Sequence, residues 1–200
     1  MKHAQTTRII LAGGEGRRMG QDKAGLVWQG MTLLERAARR ASEGHDGAVA
    51  VVGRERPPDW PLPAVRFVPD DDAHQGPLLG LLTALRAFPG QHLLVLACDL
   101  PLLDTRALDW LMDEADAQTP LADGLVCVNN AQWEPLFAIY APSCLPLVED
   151  CRREGIGSLR AMIRRGQFAF ADAPSWMCAG LTNINTPGDL DALPQSPAMP

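Results

Sequence analysis

The chain has 200 residues, 46% hydrophobic and 21% charged, a balance that fills the core of one domain and excludes a disordered or fibrous chain. Eighteen Lys and Arg against 24 Asp and Glu leave a formal charge of −6, so no global field attracts a nucleic-acid backbone or an anionic membrane. No run approaches the length of a membrane span, and MKHAQTT lacks the apolar core of a signal peptide, so a soluble, cytoplasmic protein is expected.

The first apolar run, Thr7–Ala12, ends abruptly in Gly13-Gly14 and reads as a buried strand feeding a glycine-rich loop. Thr32–Ser42 carries apolar residues at helical spacing, with Thr32 as N-cap and Glu35 placed to complete a capping box. Gly47–Val52 is a second buried strand. A proline-rich connection excludes helix over Pro57–Pro63, and a third short strand follows at Val65–Val68. Gly76–Phe88 reads as a helix starting near Pro77, His92–Ala97 as the next buried strand, and Thr105–Gln118 as an amphipathic helix.

This alternation of strand and helix predicts an α/β fold: a single domain with a mostly parallel central sheet and helices on both faces. From Gly124 the alternation weakens, with strands expected at Gly124–Val128, Pro135–Tyr140 and Phe168–Ala171 and helices at Ser143–Arg152 and Gly157–Arg165. Leu181–Asn185 reads as extended and Thr186-Pro187 as the cap of a last short helix through Asp191. The domain is taken as 1–192 and the proline-rich 193–200 as a disordered tail.

Five cysteines form no C-x-x-C pair, which argues for reduced, mostly buried thiols and against a zinc site, and the four histidines are scattered singly. The chemistry is concentrated elsewhere. Leu11–Lys23 (LAGGEGRRMGQDK) packs Gly13, Gly14, Gly16 and Gly20 with Arg17, Arg18 and Lys23. Glycines let backbone N–H groups approach phosphate oxygens, and the cations neutralise polyphosphate charge. The spacing fits neither the P-loop, which needs G-K-[ST] after its second glycine, nor the dinucleotide fingerprint G-x-G-x-x-G.

Asp99 closes the apolar strand His92–Ala97 and can either hold Mg²⁺ or merely cap the turn before Pro101. Asp70-Asp71-Asp72 reads as a solvated acidic loop unless one member reaches the ligand edge. Asn183 and Asn185, two apart on an extended segment, present amides to a neutral ligand group or make the turn before Pro187.

In order along Ile10–Leu190, LAGG-x-x-x-RMG-x-DK, the acid Asp70, Gly76-Pro77-Leu78-Leu79-Gly80, CD-x-P at Cys98–Pro101, Glu134–Tyr140 and N-x-NTP-x-DL at Asn183–Leu190 resemble the molybdenum cofactor guanylyltransferases, a branch of the Rossmann-like nucleotidyltransferases. The resemblance implies transfer of GMP from GTP to the terminal phosphate of molybdopterin or the molybdenum cofactor, with Mg²⁺ as cofactor. It also implies that Leu11, Ala12, Gly13 and Gly14 hold the nucleotide, that Lys23 contacts its phosphates with Arg17 and Arg18 assisting, that Asp70 holds the nucleoside and that Asp99 binds the metal. Asn183 and Asn185 then face the acceptor, and transient contacts with other cofactor-biosynthesis or molybdoenzyme-maturation proteins are expected.

Two features depart from the family pattern. Gly53 stands where an asparagine is usual in the nucleotide site, with Arg54 beside it as a substitute contact, and Gly155–Arg160 lacks a basic pair, leaving Arg152, Arg153, Arg160, Arg164 and Arg165 as candidates for the pterin phosphate. A molybdopterin cytidylyltransferase or a sugar- or alditol-phosphate nucleotidyltransferase of the same superfamily, and a non-catalytic nucleotide-binding regulatory module, are the rival readings. The doubled glycine of LAGG disfavours the first, and the presence of both Lys23 and Asp99 the second.

Overall fold

The computed structural model describes residues 6–13, 22–70, 76–184 and 186–193. Its centre is β1 (Thr6–Leu11), six residues buried on both sides because Ile9 and Leu11 pack on one face of the sheet and Ile10 on the other. β1 pairs in parallel with β4 (Val49–Val52) and with β6 (His92–Ala97), and β4 in turn with β5 (Arg66–Val68). Beyond β6 the sheet becomes mixed. β8 (Gln132–Tyr140) runs antiparallel to β6 and to β7 (Gly124–Asn129), and β9 (Phe168–Asp172) closes the edge parallel to β7. The order is β5-β4-β1-β6-β8-β7-β9, seven strands among the described residues.

Helices α1 (Leu33–Ser42) and α3 (Thr105–Ala117) cover one face; α2 (Pro77–Ala87), α4 (Leu145–Arg153) and α5 (Leu159–Ile163) cover the other. Each fully buried Leu, Ile or Val on these faces contributes roughly 1.5–3 kcal/mol of transfer free energy, which is what fixes a two-sided sheet. Gly80 lets α2 approach β1 closely: a Cβ there would meet Leu11 Cδ2 at 3.2 Å.

The structure corrects several expectations. A two-residue ribbon, β2 (Val27–Trp28) with β3 (Met31–Thr32), lies between the glycine loop and α1; its turn at Gln29-Gly30 has positive φ at both residues, but strands this short leave no periodicity to read. Thr32 caps α1 by accepting from Glu35 N, whereas the Glu35 carboxylate turns to Arg39 instead of completing the capping box. The expected helix from Ser143 begins as a tight 3-10 turn, Pro142–Cys144, and 178–181 is likewise a 3-10 turn, so Leu181 of the expected extended segment belongs to that turn while 182–184, its other described residues, lie outside regular structure.

Helix α6 (Pro187–Asp191) does carry a full capping box, Thr186 with Asp189. Leu193, placed in the tail, is buried with Trp28, Leu33, Ile184 and Leu190 in a small cluster that docks the C-terminal segment on the β2–β3 ribbon. Residues 194–200 lie outside the described ones. Arg8, inside the apolar run of β1, is 1% exposed and donates to Ala41 O and Glu43 O at the end of α1 and to Asp109 of α3.

Candidate active site

In β1–β6 pairing Leu11 lies opposite Ala97, and in β1–β4 pairing Leu11 lies opposite Val52. The next residues of each strand therefore emerge together at one edge of the sheet: Ala12 and Gly13 from β1, Gly53 from β4, Cys98 and Asp99 from β6. Chain order reverses between β1 and β6, the place where an open parallel sheet leaves a crevice for ligand. A cleft of about 250 Å³ opens there, lined by Leu11, Ala12, Gly13, Lys23, Asp99 and Leu136 among others.

Asp22 accepts a hydrogen bond from Ala24 N and so caps the short turn Lys23–Gly25, which carries Lys23 to the cleft. Lys23 Nζ stands 3.7 Å from Asp99 Oδ2. Burial pushes the Asp99 carboxyl up from the ordinary carboxylate range, opposed by the Lys23 ammonium. The neighbouring Cys98 thiol is pushed up to about 12 by burial and by Asp99, which keeps it protonated at neutral pH.

Gly53 follows from backbone packing rather than from a lost ligand contact. Its φ is +98°, and a Cβ would lie 2.5 Å from Gly13 Cα, so an asparagine cannot occupy this position without moving β1. Asp70 approaches the same point, its Oδ2 3.1 Å from where a Gly13 Cβ would be, and its Oδ1 is buried without a hydrogen-bond partner among the described residues. Arg54 is committed elsewhere than the sequence suggested: Nε donates to Ala12 O at 3.2 Å and the two terminal nitrogens fork onto Asp22 at 2.7 and 2.9 Å. That fork ties the end of β1 to the turn bearing Lys23 and holds the Asp22 carboxyl below its usual range.

A second, larger cleft of about 620 Å³ adjoins the first across Leu136. Its wall is made by a break in the sheet. Val126 pairs with Ala138 but the next residue, Cys127, pairs with Glu134, so Pro135, Leu136 and Phe137 bulge out of the β7–β8 ladder while Phe137 keeps its pairing with Leu96 of β6. Proline has no N–H for a ladder, and a bulge is one of the few places in a sheet that accepts it. Tyr140 Oη donates to Pro135 O at 2.7 Å and fixes the bulge from inside.

Glu134, Pro135 and Leu136 thus face a cleft completed by Leu100, Pro77, Ser158, Arg160 and Asn183. Asn183 arrives because the next residue, Ile184, donates its N–H to Asp99 O at 2.9 Å and buries its side chain beside Trp28.

The family model of the MobA-like NTP transferase domain matches residues 8–169. The chain belongs to this family. It is similar to a "Probable molybdenum cofactor guanylyltransferase" of a Nostoc strain, 34% identical over 191 residues that cover 92% of this chain and 88% of the relative. A "Molybdenum cofactor guanylyltransferase" of Pseudomonas fluorescens is 33% identical over 187 residues, covering 90% and 88%. Among solved structures, the "Molybdopterin-guanine dinucleotide biosynthesis protein A" of Archaeoglobus fulgidus matches with a TM-score of 0.77 at 26% identity, covering 93% of this chain and 95% of that one.

For this member of the MobA-like family, the structure brings together Leu11, Ala12, Gly13, Lys23, Gly53, Asp70 and Asp99 at one sheet edge, and sets Asn183 at the second cleft. Gly14, Arg17, Arg18 and Asn185 lie outside the described residues, as do Asp71 and Asp72. Of the arginines considered for an acceptor phosphate, Arg160 lines the larger cleft; Arg153 pairs with Asp150, Arg165 with Glu154, and Arg164 lies over the Trp133 ring. Trp133 is stacked on Phe170 with centroids 5.1 Å apart and does not line the cleft, so it offers no platform for a pterin. Arg160 was one of the five arginines named for an acceptor phosphate, Glu134 and Leu136 stood only within the Glu134–Tyr140 motif with no site role, and Ser158 was not singled out; the proline inside an otherwise β-like run, at Pro135, was the available signal for the bulge.

Among the described residues no helix is long and apolar enough to cross a membrane.

Proposed function

We propose that the chain transfers GMP from GTP to the terminal phosphate of molybdopterin or the molybdenum cofactor, releasing pyrophosphate. The observation that carries this reading is the pair of clefts meeting at Leu136, one at the strand switch point with Lys23 and Asp99 and one bounded by Asn183. An acceptor phosphate monoester has a second pKa near 6, so its oxygen is already largely ionised at neutral pH and attacks the α-phosphorus without a general base. The new bond joins that oxygen to the α-phosphorus as the α–β bridging oxygen departs with pyrophosphate.

Under this reading the protein's task is to bring two anions together. The backbone from Leu11 to Gly13 carries the nucleotide, Lys23 offsets phosphate charge, and the Arg54–Asp22 fork keeps Lys23 and the end of β1 in fixed relation. Asp99 fits a hard divalent cation: its Oδ1 is buried with no hydrogen-bond partner among the described residues, and a carboxylate oxygen is the donor such an ion prefers. Mg²⁺ held by Asp99 would neutralise charge developing on the phosphates.

The direct test is to incubate purified protein with GTP, Mg²⁺ and molybdopterin and to follow pyrophosphate and the guanine dinucleotide product. Formation of both, with GTP preferred over CTP, is expected. Product formed with CTP but not GTP would assign the chain to cytidylyl transfer, and no product with either would refute the acceptor.

A further inference from the structure

The larger cleft contains a carboxylate that the transfer chemistry leaves unused. Glu134 is half-buried at the bulge, and among the described residues no hydrogen bond or ion pair engages its carboxylate. Arg160 acts on Glu134 electrostatically, but its guanidinium hydrogen bonds go to Trp133 O at 2.7 Å and to Gln132 Oε1 at 3.5 Å. The cleft that Glu134 lines is largely apolar, from Pro77, Leu100, Pro135, Leu136 and Leu159, with Ser158, Arg160 and Asn183 as its other polar side chains. A volume of about 620 Å³ suits a fused heterocycle of small-molecule size.

An ionised carboxylate only accepts hydrogen bonds, and its two oxygens match two adjacent N–H donors on one edge of a ring. The 2-amino-4-oxopyrimidine ring has such an edge, its ring N–H beside its exocyclic amine. On the proposed reaction two molecules carry that ring, the guanine of the donor and the pterin of the acceptor. Glu134 lines the larger cleft and not the smaller one at the strand end that receives the nucleotide, the two sharing Leu136, which places Glu134 on the acceptor's side.

We propose that Glu134 reads the donor edge of the acceptor's pterin ring and is the residue that selects a 2-amino pterin over a 2-oxo analogue. This assignment rests on the proposed function for the identity of the acceptor. Burial pushes the Glu134 carboxyl up, reinforced by Asp99 and opposed by Arg160, which is the cost of holding an acceptor without a donor until ligand arrives.

The test uses free pterin-6-carboxylate and its 2-oxo counterpart, lumazine-6-carboxylate, titrated by fluorescence into the full chain without GTP. Wild type is expected to prefer the pterin by about ten- to a hundredfold, the range for a charge-assisted hydrogen bond. E134Q should lose that preference and bind pterin correspondingly less well, with an unchanged melting temperature. Equal affinity of wild type for the two ligands, binding of neither, or a preference retained by E134Q would each overturn the assignment.

A parallel titration with GTP and ITP, which lacks the 2-amino group, separates the two rings. If E134Q erases discrimination between these nucleotides and leaves pterin binding intact, Glu134 reads guanine and the proposal fails. Should wild type show no guanylyl transfer to molybdopterin yet keep its Glu134-dependent pterin preference, the proposed function falls and the Glu134 assignment stands.

Discussion

The two clefts are built in different ways. The smaller one is made of backbone: three parallel strands in fixed register deliver Ala12–Gly13, Gly53 and Cys98–Asp99 to a common edge, and close approach between Gly13 and Gly53 leaves no room for side chains. The larger one is made of side chains from five separate stretches, around residues 76, 100, 134, 158 and 183, assembled on a sheet defect and a docked C-terminal segment. Register tolerates almost no substitution, whereas a side-chain wall can be redrawn one residue at a time. Chemistry common to a family belongs in the first kind of site and discrimination among acceptors in the second.

The sharpest way to break this contrast is Asp99→Asn. Guanylyl transfer should fall by about 10²–10³ in kcat, the range for removing one electrostatic stabiliser. Stability should move the other way. Because burial raises the folded pKa of Asp99, the native state binds its proton more tightly than the unfolded chain does, so this group adds stability as pH falls through its raised pKa and subtracts it at higher pH. Asp99→Asn should therefore show a melting temperature at pH 7 no lower than wild type, and its advantage should vanish in acid.

Gly53→Ala should combine backbone strain at φ +98° with overlap at Gly13, destabilising by about 2–4 kcal/mol and lowering the melting temperature by roughly 5–15 °C. A melt within 2 °C of wild type would mean that β1 and β4 yield easily, and the smaller cleft would then not be the rigid partner in the comparison. Arg54→Met removes the fork onto Asp22. Since Asp22 is exposed and the pair is screened, GTP KM should rise only a few-fold with acceptor KM unchanged, as steady-state kinetics with each substrate varied would show. The smallest effect belongs to Tyr140→Phe. Losing the bond to Pro135 O should cost about 1 kcal/mol and raise acceptor KM but not GTP KM; equal shifts in both would mean that the bulge serves the two clefts alike.

The same division governs what could be read in advance. β6 was legible to the residue, and the position of Gly13 and Asp99 at strand ends followed from local hydrophobic runs, whereas Asp70 read as a solvated acidic loop and entered only through the family resemblance. Gly53 was visible but was read as a missing contact; only tertiary structure reveals that another backbone passes 2.5 Å from where its Cβ would be. Arg8 was hidden inside a run read as apolar, since a buried guanidinium needs acceptors supplied by α1 and α3, which are remote in sequence. The larger cleft was legible only in pieces: Gly76–Gly80, Cys98–Pro101, Glu134–Tyr140, Arg160 and Asn183 were each noted, but nothing in the sequence joined them into one wall. The register break that aims Glu134 depends on β6 and β7 holding β8 in two different alignments.

That break in β8 also bears on how such a protein changes over generations. On one side of it Phe137–Tyr140 stay aligned with β6, and on the other Gln132–Glu134 stay aligned with β7, so the stretch between is free of the ladder that constrains both neighbours. Residues gained or lost there are absorbed locally instead of flipping an entire strand inside out. An inherited insertion at this one point can reshape what the enzyme accepts while the nucleotide-handling strands descend unaltered.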